Sequence, residues 1–325
     1  MVPFASPLDE AERRRHRLRN VIHTWLLILG SGSLVALIAW MLFGTAGIVW
    51  AAILTGVGLW SAGQISPKMV LGLYRARPLS PQDIPELLRI VRQLAVRADL
   101  PAMPRLYYVP SRMMNAFAVG KPEDSAIAIT DGLLRGLNLR QLAGVLAHEM
   151  SHIRNGDLKV MALGDVLTRL TSLMSTFGLV ALVLSLPAML AAGLQVPWLA
   201  ILLLIFAPTI GGLMQLALSR AREYDADLDA AGLTGDPQGL ASALLTLERR
   251  QGRLWEGLLL PGSRLPDPSL LRTHPRTEDR VKRLMSLTPA PGPAIDMPAS
   301  WDEFAATTPP LRAPRIHWQR LGTWY

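Results

Sequence analysis

Two histidines one helical turn apart, with a glutamate directly after the first, are the residues of this sequence best suited to chemistry. They are His148, Glu149 and His152. Residues four apart project from the same face of a helix, so both imidazoles can bind one metal ion while the glutamate points toward a water molecule beside it. This is the HExxH pattern of zinc hydrolases. Six histidines in 325 residues make a chance match improbable, although two surface histidines beside a glutamate remain the alternative interpretation.

A catalytic zinc site needs a third protein ligand, and the residues after the motif exclude one source of it. The metzincin continuation would place glycine at position 155 and histidine at position 158, where the sequence has Asn155 and Leu158. The other source is a glutamate on a later helix, with a carboxylate one turn further on that orients a histidine ring. Glu223 is therefore the candidate third ligand and Asp227 the candidate partner of an imidazole. A solvated acidic helix face is the alternative.

Short elements must position these side chains. Asn138 predicts the start of the histidine helix and Gly156 its end near Asn155. Ser80-Pro81 is typical of a helix N-cap followed by proline at the first position, and predicts an earlier amphipathic helix. Three strand-like runs lie between the two helices, at 105–109, 116–119 and 126–130.

Half of the residues are hydrophobic, and the charged residues are unevenly placed. No Asp, Glu, Lys or Arg occurs in 20–67 or in 170–219. A helix needs roughly 20 apolar residues to cross a bilayer, so each stretch predicts two crossings joined by a turn, at 44–47 and at 193–197. A buried helix pair in a soluble protein is the alternative.

The overall composition excludes two classes of protein. The apolar content excludes a disordered chain, and the absence of cysteine excludes a scaffold held together by disulfides.

All 33 basic residues fall outside the two predicted hairpin turns, in 1–19, 68–169 and 220–325. Two hairpins would leave these three segments on one side of the membrane, and the positive-inside rule makes that side cytoplasmic. The basic segments lack the interleaved aromatic residues that favour nucleic-acid binding, so we expect no nucleic-acid partner. We expect a multi-pass protein, with its N-terminus, its soluble part and its C-terminus in the cytoplasm of a bacterium and its helices in the inner membrane.

The predicted fold is predominantly α with a small β-sheet, in a polytopic membrane protein with four transmembrane helices. The predicted segments are a basic N-terminus (1–20), a transmembrane hairpin (21–63), a first soluble part with the histidine helix (64–169), a second hairpin (170–219), a second soluble part with Glu223 (220–287) and a Pro-rich tail (288–325).

Four motifs follow one another in the order seen in HtpX-like membrane zinc endopeptidases, relatives of the CAAX prenyl endopeptidases, and the chain resembles that family over about 105–287. The motifs are Asn115-Ala116-Phe117-Ala118, the HExxH helix ending in Asn155-Gly156-Asp157, the run 222–227 and Thr273-His274-Pro275. The resemblance implies a gluzincin-type protease domain with one Zn²⁺ per chain, held by His148, His152 and Glu223. It implies that water activated on zinc is the nucleophile and Glu149 the base.

The resemblance also implies roles for two further places in the chain. Asn115 and Ala116 would bind the backbone of the substrate as an edge strand, and His274 would stabilise the transition state. We expect polypeptide substrates, foremost membrane proteins, and a role in membrane protein quality control at the lipid bilayer. A catalytically silent scaffold with a structural zinc site is the alternative function. A CAAX endopeptidase is the alternative within the enzyme class, although four crossings are few for the wide lumen that it would need.

Overall fold

A computed structural model of the chain describes residues 10–63, 66–80, 82–259 and 276–287. These residues are mostly helical with one small sheet, as the sequence predicts. The described residues divide into two units: the sheet unit, with those of 10–16, 66–158 and 222–287, and the apolar unit, with 17–63 and 159–221. The described elements are α1 (Glu10–Gly63), α2 (Pro67–Leu73), β1 (Arg77–Pro78), α3 (Pro85–Arg97), β2 (Arg105–Val109), β3 (Ala116–Lys121), β4 (Asp124–Thr130), α4 (Asp131–Gly136), α5 (Leu139–Asn155), α6 (Asp157–Ala191), α7 (Trp198–Thr234), α8 (Pro237–Leu259) and α9 (Thr277–Met285).

The sheet has the strand order β1-β2-β4-β3, so β3 forms one edge. β2 and β4 run parallel, and β3 pairs antiparallel with β4, with Ala116 opposite Ile129. β2 has its predicted bounds, β3 and β4 are each two residues longer than predicted, and β1 was not predicted. Helix α5 packs against β3 and β4, and Ile127 and Ile129 of β4 share a core with Leu146 of α5. The histidine helix therefore lies beside the edge strand.

The helix predicted to open at Ser80-Pro81 begins later, and that prediction is wrong. α3 starts at Pro85 with Ile84 as its N-cap. The Ser80 N–H donates to Asp83 Oδ2 at 2.8 Å, and the Asp83 N–H donates to the Ser80 carbonyl at 3.0 Å, so these residues close a turn. Pro81 itself lies outside the described residues. Of the apolar face predicted for this helix, Leu87, Val91 and Leu94 are buried and Leu88 is partly buried, and Ile90 is buried beside them.

The histidine helix α5 has the predicted bounds because both of its ends are specified locally. Asn138 Oδ1 accepts a hydrogen bond from the Gln141 N–H at 2.9 Å, and Gln141 Oε1 accepts one from the Asn138 N–H at 3.1 Å. This reciprocal pair is a capping box. Gly156 ends the helix in the left-handed conformation with φ 66°. Leu142, Leu146 and Met150 of α5 are fully buried.

Helix α1 reverses direction at Gly44, where the backbone is non-helical with φ 63° and ψ −151°. A Cβ atom on Gly47 would collide with the carbonyl oxygen of Ala39, although eight residues of straight helix would separate the two by about 12 Å. Val35 and Ala51 share one apolar cluster, although straight helix would hold them about 24 Å apart. α1 therefore consists of two antiparallel arms that meet at the predicted turn.

Three of the described helices are long and apolar enough to cross a membrane: α1 over Val21–Ser61, α6 and α7. Large apolar side chains on their surfaces face outward, and Leu184 and Leu199 are 76% and 83% exposed. Residues 192–197 join α6 to α7, as predicted for the second hairpin. Both helices extend beyond their apolar parts into the sheet unit. α6 begins at Asp157, directly after the histidine helix, and α7 carries Glu223 before it ends at Thr234.

Candidate metal centre

The two histidines of α5 converge with Glu223 of α7. His148 Nε2 lies 3.2 Å from His152 Nε2 and 3.5 Å from Glu223 Oε2, and His152 Nε2 lies 3.8 Å from Glu223 Oε1. In a tetrahedral zinc site with bonds of about 2.0–2.2 Å, neighbouring ligand atoms are roughly 3.4 Å apart. The three side chains therefore fit one zinc ion, and a tetrahedral ion would keep its fourth position for a reactant.

The charges around His148 also suit a cation. Burial opposes protonation of this imidazole, but Asp227 and Glu223 outweigh the burial and raise the pKa of His148 to about 10. Two carboxylates around a buried imidazole thus favour a positive charge between them. A divalent metal ion held by neutral imidazoles supplies that charge in place of a proton.

A carboxylate lies behind each imidazole. His148 Nδ1 lies 3.0 Å from Asp227 Oδ1, and His152 Nδ1 lies 2.8 Å from Asp157 Oδ2. Carboxylates on Nδ1 orient the rings and leave the Nε2 atoms for the metal. The structure places Asp227 beside His148, as expected, whereas the role of Asp157 could not be assigned from the sequence. The available signal was Gly156, since a left-handed helix cap turns the chain back and returns the next residue toward the helix end.

Two arginines hold these carboxylates, and sequence reasoning missed both. Arg280 of α9 donates two hydrogen bonds to Asp227, at 2.7 and 2.6 Å, and its Nη1 lies 3.1 Å from Glu223 Oε2. Burial alone would raise the pKa of Asp227, but Arg280 and His148 together outweigh the burial and the pKa is lowered. Arg222 Nη1 donates to Asp157 Oδ1 at 3.3 Å. Ion pairs behind the metal ligands therefore link α7, which carries Glu223, to the histidine helix α5.

Hydrogen bonds to Asp229 link the same two helices. Ser151 Oγ and Asn155 Nδ2 of α5 donate to Asp229 Oδ2 of α7, at 3.1 and 2.8 Å. Ser151 is fully buried. Each donor lies three residues after a histidine, so this network holds α7 in register with the histidine helix.

Glu149 contacts the edge strand of the sheet. Its Oε2 accepts a hydrogen bond from the Ala118 N–H of β3 at 3.0 Å. Burial raises the pKa of Glu149, and the neighbouring imidazoles oppose that rise. A carboxyl group with a raised pKa is suited to take up a proton and release it again near neutral pH.

The predicted substrate-binding residues lie on that same strand. The Asn115 carbonyl accepts the Thr130 N–H of β4 at 3.0 Å, whereas the Ala118 N–H points off the sheet. Because backbone groups alternate along a strand, Ala116 presents its N–H and C=O to the free edge together with Ala118. No other described strand pairs with this edge. The structure thus brings Glu223 and Asp227 to the two histidines and places Asn115 and Ala116 on or next to the strand that Glu149 contacts. His274 lies outside the described residues.

Comparisons with known proteins show the family of the chain and its fold. The model of peptidase family M48 matches residues 81–288. "Protease HtpX homolog" proteins from Burkholderia mallei (strain ATCC 23344) and Burkholderia pseudomallei (strain K96243) are each 34% identical over 288 residues, covering 82% of this chain and 97% of the relative. The fold is similar to the crystal structure of S. mikatae Ste24p, with a TM-score of 0.51 at 19% identity over 83% of this chain and 66% of that chain.

Proposed function

Because this chain belongs to peptidase family M48 and is an HtpX-like membrane metalloprotease, we propose that it is a zinc-dependent endopeptidase that cleaves membrane or misfolded proteins. The observation that carries the proposal is the convergence of His148, His152 and Glu223 beside Glu149. The two histidines and Glu223 are the proposed zinc ligands. Glu149 is the proposed general base.

The chemistry divides between the ion and the side chains around it. A zinc ion held by these ligands supplies Lewis-acid chemistry, which polarises a peptide carbonyl and makes water more acidic. Glu149 takes the proton of the attacking water and passes it to the leaving amine. The hydrogen bond from the Ala118 N–H holds the Glu149 carboxylate between the imidazoles and the edge strand. His274 is the proposed donor to the oxyanion.

We propose that the substrate binds in an extended conformation along the free edge of β3. Its backbone would pair with Ala116, and the exposed Asn115 would contact it at the start of the strand. Recognition through backbone hydrogen bonds makes little use of side chains, so the enzyme would accept many sequences. Broad acceptance of unfolded segments suits quality control of membrane proteins.

We propose that the chain crosses the bilayer four times, with the sheet unit in the cytoplasm. Two antiparallel arms of α1, of 23 and 19 residues over 21–43 and 45–63, are about 34 and 28 Å long, close to the roughly 30 Å of a hydrocarbon core. α6 and α7 supply the other two crossings. The basic residues all fall on one side in this arrangement, which supports a cytoplasmic sheet unit in a bacterial inner membrane.

The replacement Glu149→Gln tests the proposal in the purified full-length protein. Gln keeps the shape of the side chain and loses the base, so zinc content should match wild type while casein cleavage falls by about 10²- to 10⁴-fold. The matched control is Glu123→Gln, because Glu123 is an exposed glutamate of the same unit. Near wild-type cleavage by Glu149→Gln, or cleavage that a chelator leaves unchanged, would contradict the proposal. An inactive wild-type protein that keeps its zinc would favour the scaffold instead.

A further inference from the structure

Helix α2 presents an apolar face that no described residue covers. Met69 and Leu73 are 63% and 70% exposed and lie four residues apart, on the same side of the helix. Leu71 lies on the opposite side, is 3% exposed, and packs against the sheet with Val109 and Ala126. α2 is therefore anchored to the sheet by one face and directs two large apolar side chains away from it.

The position of α2 in the chain limits what can cover this face. Gly63 ends the second arm of α1, and Pro67 begins α2 four residues later. Four Cα–Cα steps reach at most about 15 Å. The polar headgroup layer on each side of the hydrocarbon core is roughly 5–8 Å thick. If the second arm of α1 ends at the bilayer surface, α2 begins within reach of the headgroup layer.

The charges next to α2 match an anionic surface. Lys68, Arg75 and Arg77 are exposed, and the chain carries no acidic residue between 64 and 82. Tyr74, at the end of the helix, is 46% exposed. Exposed apolar side chains flanked by basic residues, with an aromatic ring at their border, are typical of helices that lie in the headgroup region of anionic membranes.

We propose that α2 is an interfacial helix whose outward face lies in the headgroup layer of the anionic bilayer that holds α1. Met69 and Leu73 reach the acyl chains, and Lys68, Arg75 and Arg77 contact lipid phosphates. This proposal rests on the membrane anchorage under the proposed function and adds a second lipid contact outside the spanning helices.

One pair of aromatic rings connects α2 to β3, the strand proposed to bind the substrate. The Tyr74 ring packs on the Phe117 ring of β3, with 4.9 Å between centroids. Phe117 lies between Ala116 and Ala118, whose backbone groups form the free edge. An α2 seated in the headgroup layer would therefore hold the free edge of β3 next to the bilayer surface, where segments of membrane proteins emerge.

The chain has no cysteine, so single cysteines can report on this surface without removal of others. Met69→Cys and Leu73→Cys are labelled with an environment-sensitive fluorophore in the full-length protein. The protein is reconstituted into vesicles of phosphatidylcholine and phosphatidylglycerol, with and without a lipid-attached quencher. Val96→Cys is the matched control, because Val96 is an apolar residue of α3 that is 68% exposed. Leu184→Cys, on α6, controls for membrane insertion.

We expect blue-shifted emission and quenching at positions 69, 73 and 184, and water-like emission without quenching at 96. Quenching at 69 and 73 should be weaker in pure phosphatidylcholine.

Quenching at 184 without quenching at 69 and 73 overturns the interfacial helix and leaves the anchorage intact. Absence of quenching at 184 overturns the anchorage itself. Blue-shifted emission at 69 and 73 without lipid quenching indicates a protein partner and overturns the proposal, as does equal quenching at 96. Quenching at 69 and 73 that is equal in both lipid mixtures overturns the anionic part.

Discussion

The replacement Asp157→Asn isolates the contribution of a carboxylate behind a metal-binding histidine. Asp157 is 2% exposed, and its Oδ2 lies 2.8 Å from His152 Nδ1. Asparagine keeps the size of the side chain and one acceptor oxygen but removes the negative charge. The ring of His152 can therefore keep its orientation while its Nε2 becomes a weaker ligand.

We expect zinc affinity to fall by about 10- to 100-fold, which is about 1.4 to 2.8 kcal/mol. Folding should suffer little, because Arg222 keeps Asp225 as a partner at 2.8 Å. Asp227→Asn should behave differently. It removes the charge that accepts two hydrogen bonds from the buried Arg280, and Arg280 keeps its contact with Glu223. Zinc affinity and the stability of the metal-free protein should therefore both fall, the stability by less than the about 3 to 5 kcal/mol that breaking a whole buried ion pair costs.

The assay is a zinc competition titration against a chromophoric chelator at fixed pH, together with thermal unfolding of the metal-free protein. Asp225→Asn is the matched control, because it removes a carboxylate that contacts Arg222 and leaves the contact between Asp157 and His152 in place. A zinc Kd of Asp157→Asn within about threefold of wild type would refute the reasoning. Equal losses in Asp157→Asn and Asp225→Asn would also refute it, because the effect would then come from Arg222.

Three further outcomes are expected. Glu223→Ala should lower the zinc content of the purified protein, and full stoichiometric zinc by metal analysis would show that another residue is the third ligand. His274→Ala should lower kcat and kcat/KM together, by about 10²- to 10³-fold, with unchanged zinc content, and steady-state turnover within about threefold of wild type would remove His274 from the catalytic set. A reporter fused after Gly193 should lie outside the cytoplasm, and reporters fused after Arg77 or Arg250 inside it; a single crossing by α1 would place the Arg77 fusion outside.

The residues whose structure depends on near neighbours were predictable from the sequence. The Asn138 cap and Gly156 specify the ends of α5 through bonds within four residues, and the four-residue spacing of His148 and His152 places both rings on one face. The apolar stretches predicted the turn at Gly44 and the hairpin of α6 and α7, because charge is excluded from such helices wherever they occur in the chain. Local sequence signals failed to predict the start of α3, because two prolines in this region each suit a helix start. Pro81 and Pro85 both suit the first position of a helix, and the contact between Asp83 and Ser80 closes a turn before the second proline, where α3 begins.

Only the tertiary structure decided which distant groups surround the candidate metal site. Arg280 lies 53 residues after Asp227, Arg222 lies 65 residues after Asp157, and the N–H that holds Glu149 belongs to a strand 31 residues earlier. No local pattern identifies such residues, because the neighbouring sequence of an arginine does not show whether it will be buried or exposed to solvent in the folded protein. A buried charge without a partner costs free energy, so these residues must pair with one another. This cost arises only when the helices and the sheet pack together and bury the charges.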